Sequence, residues 1–278
     1  MSHLAEQIYQ QLCSYVETDQ IKLPTLPEVA LKIRTAVEKE SHSADDIAQL
    51  LAQDPALSAR LLQLANSPLY RARTEIDNLQ MAITRLGIRI VKDLVVMLAI
   101  KQAFKASNKA LDEAFRKAWL TSIDVAAVCR VLAQAQEDID NEQAVLAGLI
   151  HNIGILPVIE LANKKPELFT EAASVSAVAC EIQTRLGDKI LRFWNFPESL
   201  IEVAGQWDQF KRSHSGKADY LDIVQAAILH TPHAPDDAPA DWSDVPAISK
   251  LGLDSTQHSL NEAMLNQLDE TRSSLLQL

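Results

Sequence analysis

The sequence predicts an all-α protein. Glycine is scarce, at 7 of 278 residues, and aromatic residues make up only 5%, while Ala, Leu and Gln are plentiful. Apolar residues recur at i, i+3 and i+4 along most of the chain, and no alternating stretch of strand length interrupts them. Pro, Ser and Asp gather where that periodicity resets, marking helix starts and stops.

Taken in order, Leu4, Ile8, Leu12 and Tyr15 form a first apolar stripe. LPTLPEVALKIRTAVEKE follows, where two prolines set a turn and pre-organise a helix start near Pro27. Ser43, with an acid three residues on, opens SADDIAQLLAQ as a capping box would. Asp54-Pro55 then restarts the chain, Asp as cap and Pro at the first helical position. PALSARLLQLANS stops before Pro68, and further helices read over Leu79–Leu86 and Gly87–Phe104.

KASNKA separates these short helices from a longer one, LDEAFRKAWLTSIDVAAVCRVLAQAQ. EQAVLAGLIHNIGILPVIELA comes next, then helices over Val175–Trp194, Pro197–Phe210 and YLDIVQAAILH. TPHAPDDAPADWSDVPA reads as a Pro- and Asp-rich loop. In the last segment Ser259 and Glu262 suggest a capping box, with Leu260, Met264 and Leu268 on one face. The predicted organisation is an N-terminal helical subdomain over 1–107, a second bundle over 108–230, and a loop and C-terminal helix over 231–278.

A hydrophobic share of 47% is enough to bury a sizeable core. The net charge of −11 repels a phosphate backbone, so nucleic acid is an unlikely partner. Cys13, Cys129 and Cys180 form no CxxC pair and suit free thiols in a reducing compartment. The first residues carry acids and no basic n-region, and the longest apolar run, LVVMLAI, is far short of the ~20 residues that span a bilayer. The expectation is a cytoplasmic protein with no membrane partner.

Arg85, Arg89 and Lys92 recur at i, i+4 and i+7, with Arg71 and Arg73 nearby, and offer a possible anion patch. The plainer reading is a solvated face pairing with the excess acids. His230 and His233 precede Asp236, Asp237, Asp241 and Asp244, but Pro232 breaks helical geometry and a solvated acidic loop is expected. His3, His42, His214 and His258 look isolated. Trp194 and Phe196 read as core packing.

LPTLPEVALKI, DPALSARLLQLANSPLY and NLQMAITRLGIRIVKDLV, in that order, resemble the N-terminal half of the HDOD family. AVLAGLIHNIGIL and ILRFWNFPESLIEVAGQW resemble its second half, which is related to HD-domain metal-dependent phosphohydrolases. The resemblance covers about 23–230, with Asp54-Pro55 followed by Leu64-Ala65-Asn66-Ser67-Pro68 as its most specific part. It implies an N-terminal helical subdomain packed on an HD-like bundle.

In such hydrolases, His and carboxylate ligands hold divalent cations that activate water. By resemblance, His151 falls on the family His, but Asn152 replaces the Asp beside it, offering a neutral oxygen where a cation favours an anionic one. Thr121, Gln183, Gln206-Trp207 and Ile228 occupy the other expected ligand positions, and Ile155 replaces a Lys. The residues themselves agree: His151 shares a face with Ala144, Ala147 and Gly148, a small-residue groove that admits a neighbouring helix. His151 is therefore expected to be a neutral core histidine, one ring nitrogen donating to a carbonyl or to Gln183, with Thr121 and Gln183 able to hydrogen-bond each other and the imidazole in a vestigial pocket.

The expected function is a catalytically silent HDOD signalling module that binds a partner protein or small effector. With no room left for a second recognised domain, the partner is expected to be a separate chain. No cofactor is expected. The alternative is a divergent metal-dependent phosphohydrolase acting on nucleotides or cyclic dinucleotides, the one case that needs a divalent metal.

Overall fold

Side-chain caps set several helix starts in the computed structural model, which describes residues 3–17, 26–38, 43–70, 75–104, 109–169, 175–257 and 259–277. The first half contains α1 (His3–Glu17), α2 (Glu28–Glu38), α3 (Ala44–Ala52), α4 (Pro55–Ala65), α5 (Leu79–Leu86) and α6 (Ile88–Ala103). The second contains α7 (Lys109–Ala133), α8 (Asn141–Ile150), α9 (Ile155–Lys164), α10 (Val175–Phe193), α11 (Glu198–Gln206) and α12 (Tyr220–Leu229). α13 (Pro246–Lys250) and α14 (Glu262–Leu275) follow, and no strand occurs among the described residues.

Ser43 accepts from the Asp46 amide while Asp46 accepts from the Ser43 amide, a full capping box at α3. Asp54 accepts from the Leu57 amide at α4, with Pro55 in the first turn. At α14 the cap is Asn261 rather than Ser259: the Asn side chain accepts from the Met264 amide, so the helix starts later than the Ser259–Glu262 pair suggests. α5 and α6 meet at Gly87, whose φ of 85° suits glycine and breaks the two helices apart.

α10 ends in Asn195, whose φ of 53° lets the Phe196 amide return to the Leu191 carbonyl at 3.0 Å. Pro197 then caps α11, which gives the Trp-Asn-Phe-Pro signature a local structural cause. Arg34 of α2 donates to the Trp194 carbonyl at 2.5 Å and stacks on Phe196 at 4.7 Å, tying the first half to this corner.

One continuous core runs through both halves, from Leu26 to Leu275. Polar groups seal the seam between them. Tyr70 donates to Glu142 at 2.6 Å, Arg130 pairs with the same carboxylate, and Gln143 donates to Asp93 at 2.6 Å. α1 stands apart from the helices that follow it in sequence: Ala5, Ile8, Tyr9 and Leu12 pack on α9 and α10, and Arg185 of α10 pairs with Glu6. Packing therefore joins α1 to the second half, although the 1–107 grouping put it with the first.

Asn141–Lys164 is apolar and long enough to cross a membrane, and its most apolar 18-residue stretch has a mean hydropathy of 1.8, but 89% of that stretch is buried inside the protein. His151, Asn152, Gly148 and Gly154 interrupt this longer segment. The chain turns there, at residues 151–154, between α8 and α9.

Candidate functional site

The small residues before His151 set the site. A Cβ on Gly148 would lie 2.4 Å from the Ala126 Cα, so α8 and α7 touch backbone to backbone. Gly154 is tighter against α10, where an added Cβ would sit 1.8 Å from the Gln183 carbonyl oxygen. These close approaches fix the 151–154 turn among α7, α8 and α10.

His151 caps the C-terminus of α8 and is 3% exposed. Its Nδ1 lies 2.6 Å from the Gly148 carbonyl; because that oxygen only accepts, Nδ1 carries the proton and Nε2 the lone pair. Trp207, just after α11, packs edge-on against the imidazole with centroids 5.5 Å apart. Burial pushes the ring from 6.5 down to about 4, helped by the nearby charge of His233, so His151 is neutral at pH 7.

Asn152 is fixed through both ends of its amide. Its Oδ1 accepts from Ser122 at 2.7 Å and its Nδ2 donates to the Ala118 carbonyl at 3.1 Å. The polar network is thus Ser122–Asn152–Ala118, not the expected Thr121–Gln183–His151. Thr121 is one residue, about 100° of helix rotation, away from the position that faces Asn152. Gln183 is buried on α10, yet among the described residues neither it nor Thr121 hydrogen-bonds the imidazole. Gln206 meets the rest of the fold through its carbonyl, which accepts from Gln225 at 3.3 Å.

Two groups beside the pocket lacked a local sequence signal. Asp124 lies one turn beyond Thr121 on α7 and takes His233 at 2.8 Å and Arg272 at 2.5 Å. His233 therefore does not sit in a free solvated loop. Only its 109-residue separation from Asp124 hid the pairing. Asp208, after α11, has its carboxyl raised by burial and by the charge of Asp237.

The residues of the expected anion patch are divided between two helices. Gly87 puts Arg85 on α5 and the other two on α6, and Lys92 turns inward to Asp93 at 2.8 Å. Arg85 and Arg89 remain exposed, while Arg71 and Arg73 lie outside the described residues, as do His42 and His258.

Among the described residues, three potential cation ligands converge at one place, His214, Asp219 and Asp222, so His214 is not isolated. Cationic side chains already serve that cluster. Arg212 reaches Asp219 at 2.6 Å and buried Asp222 at 3.4 Å, and Lys250 reaches His214 at 2.8 Å. Asp219 and Asp222 also form the capping box of α12. The cluster is a set of ion pairs holding the 212–222 turn against α13.

The site around His151 and Asn152 does not fit a catalytic cation. It offers one neutral imidazole nitrogen and an amide oxygen already bonded to Ser122, where a hydrolytic site needs several anionic or imidazole donors. No hydrolytic step follows from that donor set.

The HDOD domain family profile matches residues 23–210. A crystal structure from Shewanella amazonensis SB2B, named "Putative metal-dependent phosphohydrolase", is 29% identical with a TM-score of 0.81, covering 99% of this chain and 100% of that one. A Marinobacter aquaeolei VT8 structure named "Putative signal transduction protein" is 20% identical with a TM-score of 0.67, covering 98% of this chain and 65% of its own. An uncharacterized protein of Treponema pallidum (strain Nichols) is 24% identical over 198 residues, and this chain spans only 36% of its length. With more than half its length matched, the chain belongs to the HDOD domain family.

Proposed function

We propose that this protein is a catalytically silent HDOD module of bacterial signal transduction, working in the cytoplasm by binding a separate protein or a small effector. The observation that carries this is the Asn152 amide. Ser122 and the Ala118 carbonyl occupy its oxygen and its nitrogen, in the place where the resemblance expects a metal-binding carboxylate. The name of the Marinobacter structure supports a signalling setting. Burial of the long apolar segment argues against a membrane partner, and the net charge of −11 disfavours nucleic acid.

The Shewanella structure's name favours the alternative, a divergent metal-dependent phosphohydrolase acting on nucleotides or cyclic dinucleotides. A phosphodiesterase assay with Mn²⁺ or Ni²⁺, on bis(p-nitrophenyl) phosphate and a cyclic dinucleotide, separates the two. The expected result is turnover no higher than that of the His151→Ala variant. Metal-dependent turnover that this substitution abolishes would establish the hydrolase.

A further inference from the structure

The turn after α11 and the Pro-rich loop after α12 border one cavity. Its volume is about 410 Å³, within the range that holds a small organic molecule. Asp208, Phe210, Lys211 and Arg212 of the turn line it, together with Asp237 and Pro239 of the loop. The turn is braced by Gln225 of α12, wholly buried, whose Nε2 donates to the Gln206 and Gln209 carbonyls at 3.3 and 2.9 Å.

The charges lining this cavity do not neutralise one another. Arg212 is committed elsewhere, to Asp219 at 2.6 Å and to buried Asp222 at 3.4 Å. Lys211 is exposed, and among the described residues neither it nor any other cationic side chain pairs with Asp208 or Asp237. Asp208 is half-buried, and its carboxyl is raised by that burial and by the charge of Asp237. The Cys180 thiol of α10 reports the same negative field, raised by burial and then by Asp237, Asp236 and Asp208. Two carboxylates alone do not make a metal site, since a divalent ion takes several converging donors. The converging set of such donors among the described residues is the ion-paired His214–Asp219–Asp222 cluster, without either of these aspartates. An ammonium or guanidinium group suits the lining better: carboxylates accept its N–H donors, and an aromatic ring such as Phe210 attracts its charge.

We propose that this cavity binds a small organic cation, an ammonium or guanidinium group on a short apolar body, through Asp208 and Asp237 with Phe210 and Pro239 as the apolar lining. Such a cation is the small effector of the signalling role, and the site rests on that role. Failure of the site would leave binding of a protein partner, and the lack of hydrolysis, standing.

The test is isothermal titration calorimetry of the full chain at pH 7 and low ionic strength. The probes are 2-phenylethylammonium and agmatine as cations, 2-phenylethanol as a neutral analogue and phenylacetate as an anion. Saturable binding of at least one cation is expected, with none of the alcohol or the anion. Asp208→Asn and Asp237→Asn should each weaken the cation by roughly tenfold or more, the scale of one lost charge-assisted hydrogen bond. Lys211→Ala should leave the cation's affinity unchanged or raise it. Both Asn variants keep the side-chain shape and remove one of two like charges, and urea unfolding checks that they fold as the unaltered protein does. Absence of saturable binding for both cations, an undiminished affinity in either Asn variant, or phenylacetate binding that Lys211→Ala abolishes would overturn the cation site.

Discussion

Gly154→Ala is expected to destabilise the fold by roughly 3 kcal/mol or more, the upper range for overpacking a core. The backbone at Gly154 has an ordinary φ of −68°, so conformational freedom is not the reason for glycine here. Space is: the new Cβ would meet the Gln183 carbonyl at 1.8 Å and the Gly187 amide at 2.6 Å, and backbone atoms cannot rotate away. Gly148→Ala, 2.4 Å from the Ala126 Cα, should rank second. Gly205→Ala is the control, since its Cβ would make only ordinary contact with Asp188 at 3.5 Å. Removing a helical glycine there should leave stability unchanged or raise it by about 0.5–1 kcal/mol. Urea unfolding of the three variants checks the order.

The second large effect is a loss of stability on acidification, carried by His151. Its folded value is about 4 against 6.5 for the free side chain, so between those values the unfolded chain binds the proton and the folded one does not. The stability that His151 contributes is therefore complete above about pH 6.5 and falls as pH drops toward 4. From pH 7 to pH 5 the loss is roughly 2 kcal/mol. His151→Gln removes the titration, so unfolding free energies at the two pH values should differ by about that much less in the variant. Burial-raised carboxyls such as Asp93 and Asp208 titrate in both proteins and cancel in the comparison. An equal pH response in both proteins would show that the ring is already solvated.

These expectations differ in how far the sequence alone exposed them. Caps at Ser43 and Asp54 were legible because each is a contact across three residues, written in the local order of side chains. The small-residue groove before His151 was legible for a similar reason, since Gly148 admits Ala126 through helical spacing alone. Ser122 was missed by one residue, because a family likeness fixes a helix better than its rotation. The His233–Asp124 pair and the docking of α1 on α9 and α10 join segments far apart in the chain, and no periodicity records such meetings. Arg85, Arg89 and Lys92 recur at helical spacing, but that spacing runs across the helix break at Gly87, so it does not by itself put them on one face.

The proposal that this site holds no catalytic cation rests on Asn152 and on the neutral imidazole beside it. The most direct test is the transition-metal content of the protein after equilibration with Mn²⁺ and Ni²⁺ and desalting, compared with the His151→Ala variant. The account predicts substoichiometric metal that is the same in both. One equivalent of retained metal that disappears with His151→Ala would contradict it.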